Sequence, residues 1–247
     1  MLEISFFLCY TLIMKRRILI ISSIVLAVIL LSLSLFIFIK VIPDTKKQKE
    51  WEEQINAYRT AKINQYKAEN LLYSDYEIDV AFLGDSLTDG YDVEKYYPNY
   101  KVSNRGIGGD TTFDLENRLK VSAYDLKPKV IVMLIGANNF DTMFNNYENI
   151  LIGLKENLPN TKIVLLSLTS MGGNHWGKNN QKASFNNVKI KFLAEKYNFS
   201  FVDLFTPLFD FSIGEINPEY TTDGGHLTDE GYKVLTATIT PTLEQLL

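Results

Sequence analysis

Residues 79–90 read Asp-Val-Ala-Phe-Leu-Gly-Asp-Ser-Leu-Thr-Asp-Gly, and this stretch gives the clearest indication of the fold. The apolar run Ile78–Leu83 predicts a short buried β-strand, which Gly84 brings to an end. Ser86 lies just beyond the strand, at the carboxyl end, where parallel α/β sheets present their reactive side chains. Two interpretations are open at this point. Ser86 is a nucleophile, or Asp85 or Ser86 only caps the helix that follows.

Downstream of this stretch, apolar runs of strand length alternate with segments of helical periodicity. Residues 130–135 are apolar throughout, as a strand buried on both faces requires. Strands that alternate with helices predict an α/β fold, in which helices cover both faces of a parallel sheet. After the first strand, the predicted elements are a strand at 102–104, a helix at 111–119, a strand at 130–135, a helix at 147–158, a strand at 162–168, a helix at 181–197, a strand at 199–203 and a helix at 228–247.

The composition limits the classes of function. The chain of 247 residues has a formal net charge of −4, and because residues 1–40 carry +3, the remainder carries −7. So acidic a remainder argues against a nucleic-acid partner, which needs a basic surface. Cys9 is the single cysteine, so the sequence excludes an intrachain disulfide and a cysteine-based metal site.

A charge-free apolar segment near the N-terminus predicts a membrane span. Residues 18–39 would form a helix about 33 Å long, which is enough to cross a bilayer. A removable signal peptide is the alternative interpretation. It fits less well, because the apolar segment is long and Phe36–Lys40 offers no pair of small residues for cleavage.

Basic residues on the two sides of the span indicate its orientation. Residues 15–17 read Lys-Arg-Arg and favour a cytoplasmic N-terminus, comprising residues 1–17, although Lys40 follows the span directly. The rest of the chain would then lie outside the cytoplasm. Met14 is a second candidate start, and under that hypothesis residues 1–13 are not part of the protein.

The span is followed by a charged segment and then by the globular part. Residues 40–75 are assigned to a juxtamembrane helix or linker, and residues 76–247 to one globular domain. Within the linker, apolar side chains recur at helical intervals, and this stripe either packs on the domain or pairs with a second copy as a stalk. Its members are Trp51, Ile55, Tyr58 and Ala61.

Three later loops carry glycine or polar residues next to predicted strands and helices. They read Asn-Arg-Gly-Ile-Gly-Gly-Asp-Thr at 104–111, Gly-Ala-Asn-Asn at 136–139 and Asp-Gly-Gly-His at 223–226. Glycines at a strand end let the backbone approach a ligand closely, but a tight turn with a helix cap at Asp110 or Thr111 explains the same residues. The amide of Asn138 is a candidate donor to an oxyanion.

His226 is one of two histidines in the chain and is the candidate general base. A neutral imidazole can take a proton from a serine hydroxyl and return it to the leaving group. Asp223 can fix the tautomer and stabilise the imidazolium. The order Ser, Asp, His matches that of α/β-hydrolases, yet the sequence lacks their Gly-x-Ser-x-Gly elbow.

Taken together, four blocks of the sequence resemble those of the SGNH, or GDSL, hydrolases, in family order from about residue 77 to the C-terminus. The blocks are Gly-Asp-Ser-Leu-Thr (84–88), Asn-Arg-Gly-Ile-Gly-Gly-Asp (104–110), Gly-Ala-Asn-Asn (136–139) and Asp-Gly-Gly-His (223–226). The resemblance implies a flavodoxin-like three-layer αβα sandwich with five parallel strands. It implies no metal and no organic cofactor.

The resemblance also implies roles for individual residues. Ser86 is the implied nucleophile, and Asp223 and His226 complete the implied catalytic triad. The implied oxyanion hole consists of the backbone N–H groups of Ser86 and Gly109 and the side-chain amide of Asn138. Gly109 is preferred to the neighbouring glycines because it directly precedes an Asp-Thr pair, as the family glycine does.

Two loops add to this pattern or depart from it. The family commonly has Asp where this chain has Asn139, which puts the hydrogen bonds that support the loop in question. His175 and Trp176 lie in a loop after the fourth strand and are candidate substrate contacts. A solvent-exposed loop is the alternative interpretation of these two residues.

These residues predict a single-pass protein of the cell membrane whose extracytoplasmic domain is a serine esterase. It would cleave a carboxylic ester through an acyl-enzyme, and the expected substrate is an acetyl ester on a cell-surface glycan. The alternatives are a lysophospholipase or other lipid esterase, an acyltransferase, and a non-catalytic glycan-binding module. A complete triad argues against the last. The expected partners are the ester substrate and the membrane, without nucleic acid.

Overall fold

The computed structural model describes the backbone of residues 2–247 and the side chains of residues 14–40 and 45–247. Internal contacts divide the chain into two compact units, Met1–Tyr58 and Arg59–Leu247. By this division, residues 59–75 belong to the second unit, although the sequence pattern assigns them to the linker. The functional boundary at residue 75 stays a prediction.

Helical residues make up the first unit. Helix α1 spans Leu2–Phe36, a π-helical stretch spans Ile37–Val41, and helix α2 spans Ile42–Asn70 and continues into the second unit. By length and composition, the helical segment that begins at Met14 can cross a membrane, a test that a signal sequence near an N-terminus also passes. The segment assigned to a juxtamembrane helix or linker is thus helical as far as Asn70. Membrane insertion of the preceding segment is indicated by its length and composition.

The face of α2 that packs within the second unit is not the predicted apolar stripe. Tyr66 is 1% exposed, whereas Trp51 of the stripe is 62% exposed and Tyr58 is 43% exposed. Tyr66 and Ile63 pack with Ile107 in a small apolar cluster. Within the second unit, the buried face of α2 begins at Arg59 and mixes charged with apolar side chains, and packing by the stripe stays a prediction.

A five-stranded parallel sheet forms the centre of the second unit, with strand order β2-β1-β3-β4-β5. This order is that of flavodoxin-like folds, and the predicted α/β fold is confirmed. A short antiparallel pair, β6 and β7, follows the sheet along the chain. The strands are β1 Val80–Gly84, β2 Val102–Gly106, β3 Val130–Leu134, β4 Lys162–Leu166, β5 Ser200–Val202, β6 Phe209–Asp210 and β7 Glu215–Ile216.

Helices connect the strands and flank the sheet. All five residues of β1 and all five of β3 are buried, so elements cover both faces of the central strands. Burial of each such aliphatic side chain contributes about 1.5–3 kcal/mol. The helices are α3 Ser86–Asp89, α4 Val93–Tyr96, α5 Thr112–Asn117, α6 Tyr147–Asn157, α7 Gly173–Trp176, α8 Asn180–Tyr197, α9 Phe205–Leu208 and α10 Asp229–Leu246.

Some predicted bounds are wrong. The strand predicted at 162–168 ends at Leu166, because the backbone N–H of Leu168 donates to the side chain of Asn187 rather than to a strand. The helix predicted at 111–119 ends at Asn117, and a π-helical turn follows at Lys120–Tyr124. Hydrophobic periodicity does not encode such element ends.

The strand register places the carboxyl ends of three strands side by side. Gly84 of β1 pairs with Gly106 of β2 and with Leu134 of β3. The sheet order requires the chain to leave β1 in one direction towards β2 and to cross back over β1 to reach β3. Such a switch point opens a crevice at the carboxyl end of the central strand. The serine that follows β1 therefore lies at the edge of the sheet best suited to a site.

Candidate active site

The structure brings the three predicted triad residues together. Ser86 is the first residue of α3, and its Oγ lies 3.1 Å from Nε2 of His226. Nδ1 of His226 lies 2.8 Å from Oδ2 of Asp223. With the proton on Nδ1, facing the carboxylate, Nε2 is free to accept the proton of the serine hydroxyl. The arrangement can therefore activate Ser86 as a nucleophile.

A tight turn holds the imidazole. Oδ1 of Asp223 accepts the backbone N–H groups of Gly225 and His226, at 2.9 and 2.8 Å. The carbonyl of His226 accepts the backbone N–H of Thr222 at 2.9 Å and the hydroxyl of Thr221 at 2.8 Å. These bonds lie within six residues of chain, so local sequence positions His226.

The same hydrogen bonds control the charge of Asp223. Burial alone would raise the pKa of this carboxyl, but the two N–H groups and the imidazole of His226 outweigh that effect and hold the pKa below its usual range. The side chains of Asp223 and His226 are 47% and 43% exposed. Asp223 is therefore an anion that can stabilise a positive imidazolium at any moderate pH.

The capping interpretation of Gly-Asp-Ser also holds, but for Asp85 rather than Ser86. Oδ1 of Asp85 accepts the backbone N–H of Leu87 at 3.1 Å and caps α3, which leaves the Ser86 hydroxyl for His226. Oδ2 of Asp85 is buried and has no hydrogen-bond partner among the described residues. Burial, together with the nearby charge of Asp110, raises the pKa of Asp85 to about 7.

Two of the three predicted oxyanion donors, Gly109 and Asn138, lie in loops that contact each other. Nδ2 of Asn138 donates to the carbonyl of Asp110 at 3.0 Å. Gly109, next to Asp110, is exposed and has a φ of +80°, a conformation that favours glycine. Among the described residues, no backbone carbonyl accepts the N–H of Gly109 or of Ser86. Both N–H groups are thus available to an anionic oxygen.

Asn139, the departure from the family pattern, does support its loop. Its Nδ2 donates to the hydroxyl of Thr112 at 2.9 Å, and its Oδ1 accepts the backbone N–H of Thr112 at 3.3 Å. An amide can donate and accept at once, which a carboxylate cannot. The loop that carries Asn138 is therefore tied to the first residue of α5.

An ion-pair network lies beneath the loop that carries Gly109, and sequence reasoning missed it. Asp110 is fully buried and accepts Nε of Arg118 at 2.7 Å and Nε of Arg59 at 2.9 Å. Arg118 also donates to the carbonyls of Arg105 and Gly84, at 2.8 and 2.9 Å. The cap of α5 is Thr111, not Asp110. The position of Asp110, a turn residue next to glycines, gave no signal of a buried ion pair.

Of the two candidate substrate contacts, Trp176 lies beside the triad. Its ring meets the imidazole of His226 edge to face, with centroids 5.9 Å apart. A Cβ on Gly225 would come within 2.6 Å of the Trp176 ring, so glycine at 225 allows this packing. His175 is exposed and contacts the ring of Trp176, with centroids 4.9 Å apart. Substrate contact by either residue stays a prediction.

The described residues contain no group of three or more histidine, cysteine, aspartate or glutamate side chains suited to hold a metal ion.

Comparison with known proteins gives consistent results. The model of the GDSL-like Lipase/Acylhydrolase family matches residues 82–234. Platelet-activating factor acetylhydrolase IB subunit alpha2 of Rattus norvegicus is 32% identical over 183 residues, which cover 70% of this chain and 79% of that protein. The same subunit of Homo sapiens matches with the same identity and coverage.

Solved structures share the fold. A GDSL-like lipase of Bacteroides thetaiotaomicron superposes with a TM-score of 0.67 at 26% identity and covers 75% of this chain and 98% of its own. A protein of Streptococcus pneumonia, provisionally described as a platelet activating factor, superposes with a TM-score of 0.73 at 27% identity and covers 81% of this chain and 99% of its own. The acetyl xylan esterase AlAXEase, with a TM-score of 0.58 and 20% identity over 67% of this chain and 99% of its own, shows the fold alone.

Proposed function

The chain belongs to the GDSL-like lipase/acylhydrolase family of esterases, and on this premise we propose that it is a membrane-anchored serine esterase that acts outside the cytoplasm. The resemblance to SGNH hydrolases is confirmed at the level of the family. The observation that carries the proposal is the pair of contacts that joins Ser86 to His226 and His226 to Asp223.

In the first half-reaction, Oγ of Ser86 attacks the carbonyl carbon of the ester. Nε2 of His226 takes the hydroxyl proton, and Asp223 stabilises the resulting imidazolium. The oxygen of the tetrahedral intermediate receives hydrogen bonds from the N–H groups of Ser86 and Gly109 and from the amide of Asn138. His226 then protonates the leaving alkoxide, and the acyl group stays on Ser86.

In the second half-reaction, water takes the place of the alcohol. His226 removes a proton from water as the water oxygen attacks the acyl carbon, and it returns the proton to Oγ as the carboxylic acid leaves. The same donors hold the second oxyanion. Every step uses side chains and N–H groups of this chain.

The substrate that we propose is an acetyl ester on a cell-surface glycan. The 32% identical relatives, which are named platelet-activating factor acetylhydrolase, support the short acyl group. The partly exposed side chains of His226 and Asp223 support a bulky alcohol moiety, because an open site admits an ester on a large molecule. A short-chain lipid ester is the second candidate, and the names of the 32% identical relatives favour it.

Activity is tested with the full chain in detergent. We expect Ser86-dependent release of p-nitrophenol from the acetyl ester, with a steep fall for the butyryl and octanoyl esters. Ser86→Ala is the inactive variant, and Ser184→Ala, an exposed serine on α8, is the matched control. Equal turnover by the wild type and Ser86→Ala would contradict the proposal.

The substrate class is tested by measuring released acetate. Acetylated glycan and an acetylated glycerolipid are compared at equal ester concentration. Faster release from the glycan supports the first candidate, and faster release from the lipid replaces it with the second. Transfer of acetyl to an added sugar acceptor, in place of free acetate, would instead indicate an acyltransferase.

Anchoring and orientation are tested with a membrane-impermeant thiol reagent on intact cells. Cys9 is the single cysteine, so Ser184→Cys adds one reporter on the second unit. We expect the reporter to react in intact cells and Cys9 to react only after lysis. Recovery of the chain in the culture fluid, or a reporter that reacts only after lysis, would contradict the proposed localisation.

A further inference from the structure

One face of α2 lies against the loop that carries Gly109, which we call the oxyanion loop (residues 106–110). The α2 residues that face it recur at helical intervals, at positions 59, 62, 63 and 66. No family motif of the sequence includes them, because the resemblance begins near residue 77.

Three of these residues hold the oxyanion loop at residues 106, 108 and 110, either directly or through one carboxylate. The hydroxyl of Tyr66 donates to the carbonyl of Gly106 at 2.5 Å. Nζ of Lys62 lies 2.7 Å from Oδ1 of Asp89, whose Oδ2 accepts the N–H of Gly108 at 2.9 Å. These contacts fix the loop before Gly109 by a direct bond and by a bridge through one carboxylate.

The loop is fixed after Gly109 as well. Nε of Arg59 donates to Oδ1 of buried Asp110 at 2.9 Å, and the carbonyl of Asp110 accepts the amide of Asn138. Between the two polar contacts, the side chain of Ile107 is fully buried and packs with Ile63 and Tyr66. Gly109, exposed and at positive φ, is the position whose N–H remains available.

We propose that Arg59, Lys62 and Tyr66 are positioning residues that hold the oxyanion loop and thereby set the N–H of Gly109 and the amide of Asn138. The inference rests on the proposed function. It extends the site beyond the four family blocks to the helix that links the globular part to the apolar segment. None of the three residues touches the reacting atoms, so each acts through the loop.

Tyr66→Phe tests the inference with the smallest change. It removes the bond to Gly106 and keeps the ring, which stacks on the guanidinium of Arg105. We expect kcat for p-nitrophenyl acetate to fall about tenfold, because a small displacement of an oxyanion donor is costly, while KM changes less than about twofold. Tyr197→Phe is the matched control and should keep wild-type kcat. Tyr197 is the last residue of α8, and its substitution removes a hydrogen bond to Glu148 of α6.

Arg59→Gln is the second variant. Asp110 keeps Arg118 at 2.7 Å, so the fold should persist, and Lys67→Gln, on an exposed position of the same helix, is its control. We expect a fall in kcat of about tenfold with KM little changed. Loss of activity that only tracks the unfolded fraction, measured by thermal unfolding, would mean a purely structural role and would overturn the inference.

A double-mutant cycle separates positioning from independent damage. Because Tyr66 and Asn138 would act on one oxyanion, Tyr66→Phe should cost less kcat in an Asn138→Ala background than in the wild type. Equal costs in the two backgrounds would overturn the inference, as would unchanged kcat in both Tyr66→Phe and Arg59→Gln. Wild-type turnover that does not depend on Ser86 would instead overturn the proposed function, and this inference with it.

Discussion

The two sides of Ser86 are built in different ways. On one side, Asp223 and His226 are about half exposed and are held by hydrogen bonds within a turn of six residues. On the other side, the oxyanion loop depends on Asp110, which is fully buried and is paired with residues 8 and 51 positions away in the chain.

This difference separates chemistry from stability. Removal of a side chain from the turn with His226 leaves no buried charge without a partner. Substitutions there should therefore change activity and have little effect on stability. The loop side places a charged network inside the fold, and a substitution there leaves a buried charge without one of its partners. In this site, the triad is held by residues close in sequence, whereas the oxyanion loop is held by residues distant in sequence.

The largest effect is expected on the exposed side. Ser86→Ala and His226→Ala should each lower kcat by about 10⁶-fold, because a triad acts as a unit. The free energy of unfolding should change by less than about 1 kcal/mol, since His226 is partly exposed. Both quantities are measured on the same preparations. Residual turnover within about 100-fold of the wild type would contradict the triad roles of Ser86 and His226.

The buried side should respond in stability. Arg118→Met removes one partner of Asp110 and the donors to Gly84 and Arg105, and we expect a loss of about 3–5 kcal/mol in urea unfolding. Asp223→Asn is the contrast on the exposed side, with a loss below about 1 kcal/mol. Equal losses in the two variants would show that the two sides do not differ.

Asn138→Ala tests the donor that joins the two loops. Removal of one oxyanion donor typically costs about 10²–10³ in kcat, so this variant should lie between the wild type and Ser86→Ala, with KM little changed. The measurement is steady-state kinetics on p-nitrophenyl acetate. Wild-type kcat would remove Asn138 from the oxyanion hole and leave the two N–H donors.

Asp85 interacts with both sides. Burial raises its pKa most, the charge of Asp110 raises it further, and a positive charge on His226 lowers it. Its pKa is about 7 in the folded chain and near 3.8 in the unfolded chain. Between about pH 4 and 7 the Asp85 carboxyl is ionised in the unfolded chain and protonated in the folded chain, so the contribution of Asp85 to the free energy of unfolding falls as pH rises, by about 1.4 kcal/mol per unit.

Asp85→Asn should lose this slope, because asparagine caps a helix as well and does not titrate. The free energy of unfolding of the variant should therefore exceed that of the wild type by a margin that grows from about pH 4 to about pH 7. Asp92→Asn, at the exposed cap of α4, is the matched control and should keep the wild-type slope. Parallel profiles for wild type and Asp85→Asn would contradict the burial argument.

The smallest effect is expected at Trp176. Trp176→Ala removes the edge contact with His226, and such contacts are worth about 0.5–1.5 kcal/mol, so kcat/KM should fall about 2- to 10-fold. Trp51→Ala, the other tryptophan of the chain, lies in the first unit and serves as the control. If KM is unchanged for every accepted ester, substrate contact by Trp176 is excluded.

The sequence allowed most of the exposed side to be predicted. Ser86, Asp223 and His226 stand in short motifs of a recognisable family, and the alternation of strands and helices predicts the parallel sheet that brings them together. The buried side was not predictable. Arg59 and Tyr66 lie on a charged helix, and the apolar stripe predicted for that helix consists of other residues. Their hydrogen-bond partners are about 40–50 positions away in sequence, and hydrophobic periodicity carries no information on such distant pairs.

Asn138 already donates one N–H to the carbonyl of Asp110 in the absence of substrate. Fixing a free polar side chain when a ligand binds costs about 0.5–1.5 kcal/mol of conformational entropy. Because Asn138 is held by the loop, that loss occurs when the chain folds, and its second N–H can meet the substrate oxygen without a further loss of side-chain freedom. In thermodynamic terms, the oxyanion loop moves an entropic cost from each turnover to a single folding event.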